Sequence, residues 1–300
     1  MKNGQITLQE SEIICLMKLN FFFDIDGTIL PVGQDIPQSA LKAFERAKAE
    51  GHRFFFCTGR SPFELTDQLR ELPFDGGVFS AGANVIVDGK TIFSRILTQE
   101  LRAFFFDVVD RFGLLWIIQS DEGSYLTREA QDWYREITRR VYNRSIAFKG
   151  FNIVKSFPAG KPIVKMFILS KDGLVLEARK AMEGPLHSVN NTNGLPPEFA
   201  AELMGPDVTK ASGIARVLTY LGEDISSTVG IGDGENDIEM IETCRLGIAM
   251  GNACESLKEK ADFVTADIND DGLARAMEYA MSISCLKCRV SAWLRVLSDT

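Results

Sequence analysis

Two carboxylates, Asp24 and Asp26, follow directly on Phe21, Phe22 and Phe23 and precede Gly27 and Thr28. The aromatic run reads as a buried strand that delivers an acidic pair into a turn. Alternation along a strand would put Asp24 and Asp26 on the same side, where they meet one ligand together. Neighbouring carboxylates raise each other's energy unless a cation lies between them. Gly27 permits a tight backbone, and the Thr28 hydroxyl can hold the turn.

Three further stretches carry groups for the same chemistry. Thr58, Gly59 and Arg60 follow the apolar run Arg53 to Phe56 and open an expected helix from Ser61 to Arg70. Thr58 and the backbone N–H groups there are suited to binding a phosphate. Lys210 stands at the head of a helical pattern over Ala211 to Leu221, and Gly232, Asp233, Gly234, Glu235, Asn236 and Asp237 follow the apolar segment Thr228 to Ile231. Together they supply a carboxylate nucleophile, a carboxylate for proton transfer, a hydroxyl and a cation for anion binding, and more carboxylate for a metal. That set fits phosphoryl transfer through an aspartyl-phosphate. Uncatalysed phosphate-monoester hydrolysis is slow enough that enzymes supply up to ~10²¹-fold acceleration, which demands heavy charge neutralisation. Mg²⁺ meets that demand, with Asp24 and Asp233 as side-chain ligands and the Asp26 carbonyl as a third.

These elements must be positioned by a scaffold. Apolar segments at Leu19 to Phe23, Arg53 to Phe56, Val78 to Ser80, Thr228 to Ile231, Leu246 to Ala249 and Asp262 to Val264 alternate with helix-like stretches. Such alternation predicts an α/β fold, a Rossmann-like parallel sheet with helices on both faces. In an open parallel sheet, strand-to-helix junctions line one crevice beyond the strand ends. Between about residues 84 and 188 the texture changes, beginning with a hairpin over Asn84 to Phe93 around Asp88-Gly89. This segment reads as an inserted α+β cap, with chain crossings near Ala83 and near Asn190 to Pro197 that form a hinge. The expected division is an extension over 1–16, a discontinuous core of 17–83 and 189–282, a cap over 84–188, and a tail over 283–300.

The chain resembles the haloacid dehalogenase-like (HAD) phosphatase superfamily, and within it the Cof-type hydrolases with a class IIB cap. The motifs that carry the resemblance are Asp24-Ile25-Asp26-Gly27-Thr28, Thr58-Gly59-Arg60, Lys210, and Gly232 to Asp237, joined by Ile248 to Ala253 and Lys260 to Val264. The resemblance implies that Asp24 attacks phosphorus and that Asp26 protonates the leaving oxygen and then activates water. It implies that Thr58 and Lys210 bind the transferring oxygens, with Gly59 beside them, and that Asp24, Asp26, Asp233 and Asp237 serve the metal. Asn236 and Asp237 would orient the metal shell, Lys210 or the substrate. Arg60, at a helix start, reads either as a substrate contact or as a packing residue. One departure is Ala81-Gly82-Ala83, where the family often has Asn-Gly-Ala, so a polar substrate contact at Ala81 is missing.

Other readings compete less well. A formal charge of −8 over 300 residues argues against a nucleic-acid footprint. No apolar run reaches the ~20 residues of a membrane span, and the first residues lack a secretory pattern, which makes the cytoplasm the expected location. A cysteine-phosphatase site at Cys57 would need Arg at position 63, where Phe63 stands. His52 and His187, the only histidines, lie outside the motifs. Gly230-Ile231-Gly232 fails as a dinucleotide fingerprint at Glu235, and Asp233 to Asp237 fails as an EF-hand at Ile238. Cys285 and Cys288 form a lone CxxC without a second ligand pair. In the cap, Trp133, Tyr134, Arg135, Arg139, Arg140, Tyr142 and Arg144 share a helical stretch that reads as a recognition face or as a solvated basic face. Lys155, Lys161 and Lys165 read as surface residues.

The expected protein is a Mg²⁺-dependent phosphatase, monomeric or homodimeric, acting on a small phosphorylated metabolite. Sugar phosphates come first, with flavin mononucleotide (FMN) or pyridoxal phosphate behind them. A phosphohexomutase of the same superfamily and a catalytically silent phospho-ligand sensor are the alternatives. A receiver-like module fits poorly, because it has neither a cap nor a use for Asp26 as acid and base.

Overall fold

The computed structural model describes residues 18–31, 33–120, 122–142, 151–190 and 195–283. The expected extension over 1–16, Arg144, and the tail beyond residue 283 lie outside the described residues.

The first part of the chain runs β1 (Asn20–Phe23), α1 (Gln38–Ala49), β2 (Arg53–Cys57), α2 (Asp67–Arg70), β3 (Gly76–Phe79), β4 (Asn84–Val87) and β5 (Lys90–Ser94). The second domain follows as α3 (Gln99–Arg111), β6 (Leu115–Ser120), β7 (Gly123–Thr127), α4 (Arg128–Tyr142), β8 (Phe151–Val154), β9 (Lys165–Leu169), α5 (Val175–Met182), β10 (His187–Asn190) and β11 (Ala200–Met204). The chain then returns through α6 (Lys210–Leu221), β12 (Thr228–Gly232), α7 (Ile238–Thr243), β13 (Leu246–Ala249), α8 (Glu255–Lys258) and β14 (Phe263–Val264), ending in a helix over 272–283.

The core sheet has the order β14-β13-β12-β1-β2-β3-β4-β5, parallel from β14 to β3 and antiparallel across the last two pairs. β1 sits near its centre, between β12 and β2, so both of its faces are covered and its three phenylalanines are fully buried. That explains a continuous aromatic run where a half-exposed strand would alternate. Pleating still sorts the side chains. Phe21, Phe23, Phe54 and Phe56 pack on one face with Phe44 of α1 and Met277 of the last helix, while Phe22, Phe55 and Cys57 pack on the other with Ile214 of α6 and Met240 of α7. Edge-to-face contacts join Phe54 to Phe21, Phe23 and Phe44, with centroids 5.9, 6.0 and 5.5 Å apart.

The cap is a six-stranded sheet of order β10-β11-β9-β6-β7-β8. α3 and α5 cover one face through Phe105, Val108, Val175 and Met182. On the other face α4 contributes Ala130 and Tyr134 against Ile117, Leu126 and Phe167.

Hydrogen bonding moves both expected crossings. The hairpin over Asn84 to Phe93 forms as expected, with Asp88 and Gly89 at φ 49° and 73°, but β4 pairs with β3 and so extends the core sheet. At the other end β10 and β11 pair with each other and with β9, which leaves residues up to Met204 in the cap sheet. The crossings therefore fall after Ser94 and after Met204. A hairpin is a local device and carries no mark of which sheet it joins. The expected helix from Ser61 to Arg70 is also broken: a 3₁₀ turn over Pro62–Glu64 is followed by extended Leu65 (φ −67°, ψ 130°) before α2 begins. Among the described residues no helix is long and apolar enough to cross a membrane.

Phe54 is the test of the aromatic platform. Phe54→Ala should cost about 3–5 kcal/mol in urea unfolding, whereas Leu176→Ala, at an exposed position, should stay within about 0.5 kcal/mol of wild type.

Candidate active site

Lys210 opens α6, whose N-cap is Thr209; the Thr209 hydroxyl accepts from the Ser212 N–H at 3.1 Å. The lysine is buried, and its Nζ donates to Asp24 Oδ1 at 2.7 Å and to Asp237 Oδ1 at 2.5 Å. Asp237 is fully buried, and its other oxygen accepts the backbone N–H groups of Asp233 and Gly234, each at 3.0 Å. Asp233 in turn accepts from the Thr28 hydroxyl at 2.9 Å. Ligand oxygens of Asp24, Asp233 and Asp237 all lie within 4.8 Å of one another. Segments from β1, β12 and α6 thus converge at the carboxyl ends of the central strands.

The turn after β1 approaches Asp233 closely. Gly27 has φ +85°, and a Cβ there would lie 2.2 Å from Asp233 Oδ2. Its carbonyl accepts from Asn252 Nδ2 at 2.8 Å, while Asn252 Oδ1 accepts from the Ile268 N–H at 3.0 Å. The Gly251-Asn252 stretch therefore ties the far end of the core to the acidic turn.

Charge governs the pocket. Burial alone would lower the Lys210 pKa, but Asp237 and Asp24 outweigh it and hold the ammonium above the ordinary lysine range. Burial raises the Asp24 carboxyl well above the usual range, with Lys210 opposing the shift. Asp233 is pushed up to about 7, first by burial and then by repulsion from Asp237. Three carboxylates facing one ammonium leave an excess of negative charge, and their oxygens are hard donors of the kind Mg²⁺ selects.

Asp26 behaves differently from the strand-based expectation. β1 ends at Phe23, so strict alternation stops before the acidic pair. Asp24 turns inward to Lys210, while the Asp26 side chain is 59% exposed and pairs with Arg60 at the cleft. Arg60 gives Nε–H to Asp26 Oδ2 at 2.9 Å and Nη2–H to Oδ1 at 2.5 Å. Burial opposes the guanidinium's charge, yet the bonds to Asp26 outweigh it and raise its pKa. The Asp26 carboxylate is not part of the close acidic set formed by Asp24, Asp233 and Asp237.

Thr58 and Gly59 follow β2, and Thr58 is buried with its hydroxyl accepting from the Arg60 N–H at 3.2 Å. Asp24, Asp26, Thr58, Gly59, Arg60, Asp233 and Asn236 all line one cleft of about 730 Å³ between core and cap. Cys57 lies under this site with its thiol buried and its pKa driven well up by that burial, the opposite of an activated nucleophile. Burial likewise lowers the His52 pKa, and its Nδ1 accepts the Leu19 N–H at 3.0 Å, a structural role.

The cap side of the cleft corrects one reading. Lys165, expected on the surface, is 5% exposed, paired with buried Glu202 at 2.5 Å, and lines the cleft with Gln119 and Phe167. The signal was available: one charge within each of the otherwise apolar strands Lys165–Leu169 and Ala200–Met204. Of the helical aromatic and basic set in α4, Tyr134 faces the cleft, while Arg135 and Arg140 are exposed and pair with Asp132 and Glu136.

Residues 21–277 match the haloacid dehalogenase-like hydrolase family. The chain is a haloacid dehalogenase-like hydrolase. YkrA of Bacillus subtilis, named as a phosphatase, is 31% identical over 267 residues, covering 86% of this chain and 95% of that protein. The 5-amino-6-(5-phospho-D-ribitylamino)uracil phosphatase YcsE of the same organism is 25% identical, covering 85% and 93%. Among solved structures, the subclass IIB sugar phosphatase BT4131 superposes with a TM-score of 0.72 at 26% identity, covering 87% of this chain and 98% of that one. The enzyme is thus a Cof-type HAD phosphatase with an α/β core and a class IIB cap.

The raised pKa of Asp233 has a sign that can be measured. Its folded value of about 7 exceeds the unfolded value of about 3.9. Between those values the native state binds more protons than the unfolded chain, so this residue's contribution to stability falls as pH rises from about 4 to about 7 and is then flat. In urea titrations with EDTA, Asp233→Asn should gain stability relative to wild type across that window; a constant difference would overturn the assignment.

Proposed function

We propose that this HAD hydrolase is a Mg²⁺-dependent phosphatase that cleaves a small phosphate monoester through an aspartyl-phosphate on Asp24. The observation that carries the reading is the buried Lys210 ammonium held between Asp237 and Asp24, the latter lining the cleft. A carboxylate beside a fixed cation, with further acid close by, is poised to accept an anionic electrophile that free carboxylates would repel.

In this reading an Asp24 oxygen attacks phosphorus as the bond to the leaving oxygen breaks, and Asp26 gives that oxygen a proton. Asp26 then takes a proton from water as water displaces Asp24 from phosphorus. Lys210 and Thr58 donate to the transferring oxygens, where preorganised donors gain strength as charge develops. Asp24 and Asp233, with the Asp26 carbonyl, would hold Mg²⁺, which supplies charge neutralisation for the transferring phosphoryl group. Asp237 has both oxygens engaged by Lys210 and backbone amides, so its role is to seat the lysine and the 233–234 turn. Asn236 stands on the same turn and is assigned to the substrate side of the cleft.

Sugar phosphates stay first among substrates, supported by the likeness to BT4131 and by the polar Gln119, Lys165 and Glu202 above the site. A ring-bearing phosphate is the second reading. Ile117, Tyr134, Phe151 and Phe167 offer an apolar wall to a planar leaving group.

Phosphate release from sugar phosphates, FMN, pyridoxal phosphate and p-nitrophenyl phosphate, with Mg²⁺ or with EDTA, tests the proposal. Release should require the metal, and Asp24→Asn should reduce it by at least about a thousandfold; turnover at the wild-type level in that variant would sink the mechanism. In single-turnover measurements, Asp26→Ala should slow leaving-group release from alkyl phosphates by about 10²–10⁴-fold and spare p-nitrophenol release, whose leaving group needs no proton, while hydrolysis of the aspartyl-phosphate slows for both. Equal losses in leaving-group release would remove Asp26 from the acid role.

A further inference from the structure

A set of hydrogen bonds between cap and core lies outside the reacting groups. The Gly59 carbonyl accepts from Lys165 Nζ at 3.0 Å and from Gln119 Nε2 at 3.3 Å. The Glu64 carboxylate accepts from Gln119 Nε2 at 2.9 Å and from Ser124 Oγ at 2.6 Å, and folds back onto the Ser61 N–H at 2.7 Å. The donors come from three neighbouring strands of the cap sheet, and Gln119 and Lys165 are direct register partners. Glu202 holds the Lys165 ammonium from within the cap. A Cβ on residue 59 would lie 3.1 Å from Lys165 Nζ, so glycine lets the ammonium reach the carbonyl.

Arg60 lies between the two anchors. Its guanidinium grips both oxygens of Asp26 and gives a third N–H to the Glu64 carbonyl at 3.4 Å, while its own carbonyl accepts from the Ser80 N–H at 2.8 Å. An exposed arginine–carboxylate pair on mobile backbone holds little in place. Here the backbone on either side of the arginine is clamped by the cap.

We propose that Gln119, Ser124, Lys165 and Glu64 are positioning residues: the cap sheet clamps the 59–64 loop so that Arg60 presents the Asp26 carboxylate at the cleft. Proton transfer then depends on a seated cap. The clamp is a matter of geometry, and its effect on turnover rests on the acid–base role given to Asp26 in the phosphatase reading.

The double variant Glu64→Ala/Ser124→Ala removes the two cap-to-loop bonds that Gln119 and Ser124 make to the Glu64 carboxylate and leaves Gln119 and the Lys165–Glu202 pair intact. In single-turnover measurements its rate of leaving-group release from the best alkyl phosphate of the panel should fall about tenfold or more, while p-nitrophenol release stays within about twofold. Arg60→Gln should show the same selectivity, and combining it with the double variant should add little further loss, because both act through one placement of Asp26. Equal losses on the two esters, a rise in KM alone, or additive losses would each overturn the proposal. Hydrogen–deuterium exchange provides a readout that does not depend on turnover. Amides over 59–64 and over the β6–β7 hairpin should exchange faster in the double variant than in wild type. Unchanged exchange overturns the clamp. Absence of phosphate release from wild type would instead overturn the phosphatase reading, with exchange still deciding the clamp.

Discussion

The structure is organised around one buried cation. Lys210 sits out of water between Asp24 and Asp237, a placement that would be costly for any of the three alone. Each partner is fixed by a different part of the chain: Asp24 by the central strand, Asp237 by the turn after β12, and Lys210 by the head of α6. None can shift without leaving a charge unpaired. The excess of carboxylate that remains, with Asp233 half-buried beside them, suits a hard divalent cation and an anionic substrate arriving together.

Such a cluster needs a rigid floor, and the aromatic layers provide it. Strands buried on both faces cannot relieve strain toward solvent, and phenylalanines interlocked across β1, β2 and α1 resist small displacements of the strand ends. The candidate site groups stand just beyond those ends, on turns and at the head of α6, where the backbone is free to change direction.

The cap brings a different kind of surface. Its sheet is covered by α3 and α5 on one face, and part of the other looks into the cleft. Pleating puts Ile117, Gln119, Lys165, Phe167 and Glu202 on that inner face, so a mixed apolar and hydrogen-bonding ceiling is built from alternate residues of three adjacent strands. A ceiling of this composition offers apolar and polar contacts side by side, and its bonds to the 59–64 loop tie it to the floor.

Much of the core was legible in the sequence. Alternating apolar strands and helical segments, each ending in a short polar motif, already require an α/β sheet, and the order of the motifs already places Asp24, Thr58, Lys210 and Asp233 at strand or helix ends. Those signals are local: a period, a cap residue, a glycine where the backbone must turn. Pairings between distant segments are not local. Which sheet the hairpin at Asn84 joins, that β10 and β11 remain with the cap, and that Asp26 faces Arg60 rather than sharing Asp24's partner all depend on neighbours set by the tertiary fold. Lys165 shows the difference most directly, because a lysine is ordinarily a solvent-facing residue, and only the approach of Glu202 and the Gly59 carbonyl supplies the charge and the acceptor that let it be buried.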